Sequence, residues 1–234
     1  MTSQSQPQSQ AQSQPQAQTL RENAQAQSSG DVRKSLHITT IVMLTLAGLW
    51  LILGGAGIAM NAFGTINSAP PKLLTGMILT PSLFILLAYG VSKGFRRWVA
   101  GLDLALLTVM HATRTIGFAF IVMWYYGTVP AVFAFAAGLG DIAVAVMAPF
   151  VALALARKTP GALKLAKRLH MAGAFDFFVA VALGASSLGV PAAQMGQIDQ
   201  INIFPLGVIP AMGVPFLLAI HVLAFLNLRT ARLT

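Results

Sequence analysis

The chain has no cysteine. That excludes disulfides, thiolate metal sites and iron–sulfur clusters, and leaves the redox compartment open. Charge is also scarce: 9% of the 234 residues are Asp, Glu, Lys or Arg, against about 25% in an ordinary soluble domain. No His-Glu-x-x-His, no Gly-x-Ser-x-Gly and no glycine-rich phosphate loop occurs, so the common hydrolase and nucleotide-binding signatures are missing. No lysine lies within an apolar run, which excludes a retinal Schiff base. No two histidines fall within fifty residues of each other, which argues against an intramembrane zinc hydrolase; Ser186 and Ser187 lie far along their segment from Asp176. An enzyme is not expected, and no metal site or resident cofactor is predicted.

What remains is apolar. Hydrophobic residues make up 56% of the chain, and several runs reach the roughly 20 residues that a helix needs to cross a bilayer. The expected fold class is an all-α integral membrane protein, a six-helix transmembrane bundle over residues 35–234. Its spans are expected near 38–60, 72–92, 99–126, 130–156, 170–190 and 206–228. Residues 1–34 are expected to form a disordered Gln/Ser-rich cytoplasmic tail, with ten glutamines in the first 30 positions and too little apolar surface to offset ordering. The tail has neither the basic region nor the apolar core of a signal peptide.

The net charge of +9 is distributed as a membrane protein distributes it. With six spans, 13 of the 15 Lys and Arg fall on one side, leaving Lys72 opposite and Arg114 within the membrane. By the positive-inside rule both termini are then cytoplasmic, in what is expected to be a bacterial inner membrane. Basic residues confined to short loops give no support to a nucleic-acid partner.

Small residues mark the packing faces, since lipid provides no hydrophobic drive between helices and close backbone approach replaces it. Ala134, Ala137, Gly138, Asp141, Ala145 and Ala148 share one face of the fourth span. Ala172, Asp176, Ala180 and Gly184 recur every four residues in the fifth. The two segments echo each other as Ala-Gly-x-x-Asp, at 137–141 and 172–176, followed in each by Val-Ala-Val. The last span opens with Pro205, Pro210 and Pro215 beside Gly207 and Gly213, so its outer half is expected to be kinked or broken. Trp50, Trp98, Trp124, Tyr125 and Tyr126 read as interface anchors.

The candidate site consists of the polar residues inside. Asp103, His111 and Arg114 share a face of the third span, Asp141 faces Arg114 across the turn at 127–130, and Asp176 and His221 are matched in depth. Intramembrane charges usually face a bundle interior and mark function. Three aspartates against one arginine leave surplus negative charge, which a proton, a protonated histidine or a cation would neutralise. The leading expectation is therefore a small proton-linked carrier or translocator, with Arg114 and Asp141 as mid-membrane pair and Asp103, Asp176, His111 and His221 as proton pathway. Two other classes remain. One is an accessory subunit packed into a larger membrane complex or a homo-oligomer. The other is a b-type haem carrier using His111, His221, His37 and His170 as axial ligands.

Overall fold

Apolar runs of this length are expected to fold as helices, because in hydrocarbon every backbone amide must be satisfied within its own segment. The computed structural model describes residues 8–63, 72–186, 201 and 203–230. Every regular element among them is helical. In order these are α1 (Gln8–Ala59), α2 (Lys72–Val91), α3 (Lys93–Ala100), α4 (Leu104–Val109), a 3-10 stretch (Met110–Gly117), α5 (Phe118–Tyr125), α6 (Ala131–Ala156), α7 (Ala162–Ser186), a π-helical turn (Ile209–Gly213) and α8 (Val214–Thr230). Five stretches are long and apolar enough to span a membrane: Val32–Ala59, Leu73–Val91, Leu104–Tyr125, Ala131–Ala156 and Ile209–Thr230. The chain is a multi-pass, all-helical integral membrane protein. Of the expected segment at 170–190, residues 170–186 fall on α7, whose first turns carry Lys164, Lys167 and Arg168, and 187–190 lie outside the described residues.

The chain divides into residues 1–44 and 45–234. In the first unit α1 begins at Gln8, inside the stretch whose composition predicts no ordering. Alanine and glutamine are good helix formers, which accounts for a helix there.

In the second unit, α6 packs against α4, the 3-10 stretch, α5 and α7, while α8 packs against α2, α3, α4 and α7. The small-residue face of α6 is its buried one: Ala134, Ala137, Gly138, Asp141, Ala145 and Ala148 are all buried. Its large side chains, such as Phe135, Leu139, Met147 and Phe150, point outward. That is the inside-out arrangement expected of helices that pack through small residues in lipid. Helix α7 departs from its expected face, because Ala172 is exposed and Ala166, His170, Gly173 and Phe177 are buried instead.

The expected single third span is interrupted. The chain breaks at residues 101–103, and Asp103 caps α4 by accepting from the backbone N–H of Ala105 at 2.8 Å and of Leu106 at 3.3 Å. Asn227 on α8 closes the same break from outside. Its Nδ2 donates to the carbonyls of Val99 at 2.8 Å and Leu102 at 3.0 Å, satisfying groups that a helix end leaves orphaned. The proline-rich start of the last segment is irregular as expected. Turns over 203–207 lead into the π-helical Ile209–Gly213, and regular helix resumes at Val214. The polar loop 194–200 and Ser187 lie outside the described residues.

Candidate functional site

The 3-10 stretch builds the site. At three residues per turn, side chains three apart eclipse one another. His111, Arg114 and Gly117 thus line one face, Thr108 sits in the last turn of α4 just before them, and all four are buried. An α-helix would have fanned them apart. Arg114 lies at the centre, 1% exposed. Its Nε donates to Asp141 Oδ1 on α6 at 2.6 Å, and its Nη2 donates to Asp176 Oδ2 on α7. Its Nη1 reaches the Gly173 carbonyl at 3.2 Å and His221 Nε2 on α8 at 3.3 Å. The guanidinium sits over the ring of Phe177, with Cζ 3.8 Å from the ring centroid, a cation–π contact in a desolvated setting.

Glycines make the room. A Cβ on Gly117 would run into Asp141, and one on Gly140 into Asp176. One on Gly173 would come within 2.6 Å of His221 Cε1 and 2.8 Å of Arg114 Nη1. Each charged side chain therefore occupies the space that a neighbouring helix leaves by lacking a side chain.

The histidines continue the network with a definite direction. The Thr108 hydroxyl donates to the Leu104 carbonyl at 2.7 Å, so towards His170 Nε2, at 3.2 Å, its oxygen accepts. His170 thus carries its proton on Nε2, and its bare Nδ1 accepts from His221 Nδ1–H at 2.9 Å. His221 Nε2 is then bare and accepts from Arg114. Every donor points the same way, from Arg114 through His221 and His170 to Thr108. His111 stands outside this series. It stacks on His221 with ring centroids 3.9 Å apart and planes 18° apart, and neither of its nitrogens has a hydrogen-bond partner among the described residues.

The structure thus brings together five of the six sequence candidates: Arg114, Asp141, His111, Asp176 and His221. Asp103 is separate, an exposed helix cap. Asp176 meets Arg114 rather than its depth-matched neighbour His221, which pairs with His170 instead. His170, considered from sequence only as a haem ligand, belongs to the core, as do Thr108 and Phe177, which sequence reasoning missed. The period of three linking Thr108, His111 and Arg114 was the available signal for Thr108. For His170 the signal was its place three residues before Gly173 and six before Asp176, about one and two turns along the same helix. His111 and His221, paired above as haem ligands, stack on each other with ring centroids 3.9 Å apart. His37 lies exposed on α1.

No curated protein and no solved structure matches the chain. A family model described as a domain of unknown function, DUF8737, matches residues 70–229. The matched region runs from just before α2 almost to the end of α8 and contains every residue of the site, while α1 lies outside it. It covers well over half of the sequence, and the chain belongs to the DUF8737 family.

Proposed function

We propose that this is a six-span protein of a cytoplasmic membrane, with both termini on the cytoplasmic side, acting as a small proton-linked carrier or translocator. Helix α7 supplies the fifth span in this reading, beside the five stretches that are long and apolar enough by themselves. Six spans keep 13 of 15 basic residues on one side, as the positive-inside rule requires. Arg114 with Asp141 and Asp176 forms a buried ionic centre in which two carboxylates face one guanidinium. The surplus negative charge is neutralised by a proton or a cation, which is the coupling particle.

The observation that carries the reading is the one-directional hydrogen-bond series from Arg114 through His221 and His170 to Thr108. Imidazoles pass protons between their two nitrogens, so the histidine arm conducts in principle. A guanidinium does not release its proton in a protein, so Arg114 blocks passage between the histidines and the carboxylates. Transfer across the site needs Arg114 to move, and the 3-10 stretch supplies a way. Rewinding it as α-helix changes the turn from about 120° to about 100° per residue. Over the three residues from His111 to Arg114 that swings the arginine by about 60°. A gate that opens only with such a movement couples proton passage to conformational change.

The test is proton entry into liposomes holding the purified protein and a pH-sensitive dye, under an imposed membrane potential. A low-molecular-weight filtrate of cell lysate is supplied outside as the source of substrate. The wild type should acidify the interior faster than empty liposomes, and Asp176→Asn should lower the rate by at least tenfold, roughly the effect of removing one positioned proton carrier. Wild-type flux equal to that of empty liposomes under every condition refutes the reading.

A further inference from the structure

His111 is fully buried, and the network around it uses neither of its nitrogens. A buried imidazole with two idle nitrogens has lost its hydrogen bonds to water and gained none. Its neighbours are the other two buried histidines, and one nitrogen from each of the three rings lies within 4.8 Å of the others. We propose that His111, His170 and His221 form a binding site for a divalent first-row transition-metal ion.

The donor set decides the class of ion. Three imidazoles suit zinc, copper, nickel or iron, whereas magnesium and calcium want oxygen. Metal–nitrogen bonds of 2.0–2.1 Å place the ligand nitrogens of a tetrahedral site about 3.3 Å apart. His170 Nδ1 and His221 Nδ1, at 2.9 Å, already have nearly that spacing. His111 has to turn off the face of His221 to bring a nitrogen in, and because that ring is held by no hydrogen bond, the turn breaks none. The charge balance also favours a cation, with Asp141 and Asp176 together outweighing Arg114 by one negative charge. Three ligands leave a position open for water or a further ligand.

Occupancy would change the network in a defined way. The ion takes the place of the proton between the two Nδ1 atoms, and the His221 ring proton moves to Nε2, facing Arg114. The Arg114–His221 hydrogen bond is lost, while Arg114 keeps Asp141, Asp176 and the Gly173 carbonyl. Thr108 still accepts from His170 Nε2–H, the kind of outer contact that holds a ligating ring in place. The proposal needs only the three imidazoles and does not rest on proton-linked transport.

The test uses untagged full-length protein in detergent, stripped with a chelator and titrated with cobalt(II) alone, then with zinc(II) alone by calorimetry. One ion should bind per chain, with visible cobalt absorption typical of a low-coordinate nitrogen site. His111→Ala and His170→Ala should each weaken binding by more than about 100-fold, the upper range for losing even an outer contact. His37→Ala should bind as the wild type does. His111→Ala removes no hydrogen bond but leaves a cavity beside His221, so it should elute at the wild-type volume with a lowered thermal midpoint, and His111→Phe, which refills the space without a ligand nitrogen, should recover stability but not binding. Wild-type protein that takes up neither ion, or a His111→Ala protein that binds as tightly as wild type, overturns the proposal.

Discussion

The same five-residue pattern, Ala-Gly-x-x-Asp, occurs on α6 at 137–141 and on α7 at 172–176, and the two copies are used differently. On α6 the alanine, the glycine and the aspartate are all buried, and Gly138 brings its backbone against the Gly117 carbonyl, 2.9 Å from where a Cβ would stand. On α7 the alanine is exposed, and Gly173 makes room for side chains instead, those of His221 and Arg114. Both aspartates nevertheless end on one guanidinium, Asp141 at Nε and Asp176 at Nη2. Asp176 reaches Arg114 past Gly140, the residue before Asp141, so the two carboxylates come to the guanidinium side by side. A short pattern of small and acidic residues specifies where a carboxylate can be accommodated. It does not specify which face of the helix is buried, because the rest of the helix sets its rotation: Phe135, Leu139, Met147 and Phe150 face outward on α6, and His170 and Phe177 face inward on α7.

Removing both copies' acids should have the largest effect. Asp141→Asn combined with Asp176→Asn leaves Arg114 buried with no counter-charge, at a cost of about 3–5 kcal/mol, seen as loss of monodisperse protein or a large fall in the thermal midpoint in detergent. Either substitution alone leaves one carboxylate on Arg114 and should cost about 1 kcal/mol, so the double variant should lose more than the two singles summed. Additive losses would mean the two aspartates do not share Arg114. Next comes steric filling. Gly173→Ala pushes a methyl into His221 and Arg114, costing about 1–3 kcal/mol by overpacking, whereas Ala172→Gly on the exposed side should cost only the roughly 1 kcal/mol of helix propensity. Equal losses at 172 and 173 would contradict the rotation of α7 described here. The smallest effect is expected at Asp103→Ala, which loses a helix cap worth about 1 kcal/mol and should leave proton flux and metal uptake unchanged. A variant that abolished flux while folding normally would return Asp103 to the pathway.

Much of the architecture is legible in the amino-acid order. The apolar runs predict five helices long and apolar enough to span a membrane, the small face of α6 predicts its buried side, and Pro205, Pro210 and Pro215 predict the irregular entry to α8. These are properties of one segment at a time, governed by hydropathy and local backbone chemistry. Depth matching also brought Arg114 and Asp141 together, because a short turn between antiparallel helices fixes their relative height.

The break at 101–103 escaped such reasoning, since Gly101 and Asp103 sit in a stretch whose hydropathy suits a continuous span, and a cap competes with helix continuation only once Asn227 closes it from α8. The histidine cluster escaped it as well. Sequence by itself determined that this is a polytopic membrane protein with buried charge near Arg114, because the cost of polar groups in hydrocarbon is paid locally. Only the tertiary structure decided that His111, His170 and His221 meet. Their proximity depends on how far three separate helices rotate about their own axes, and that rotation is set by packing between helices distant in the chain.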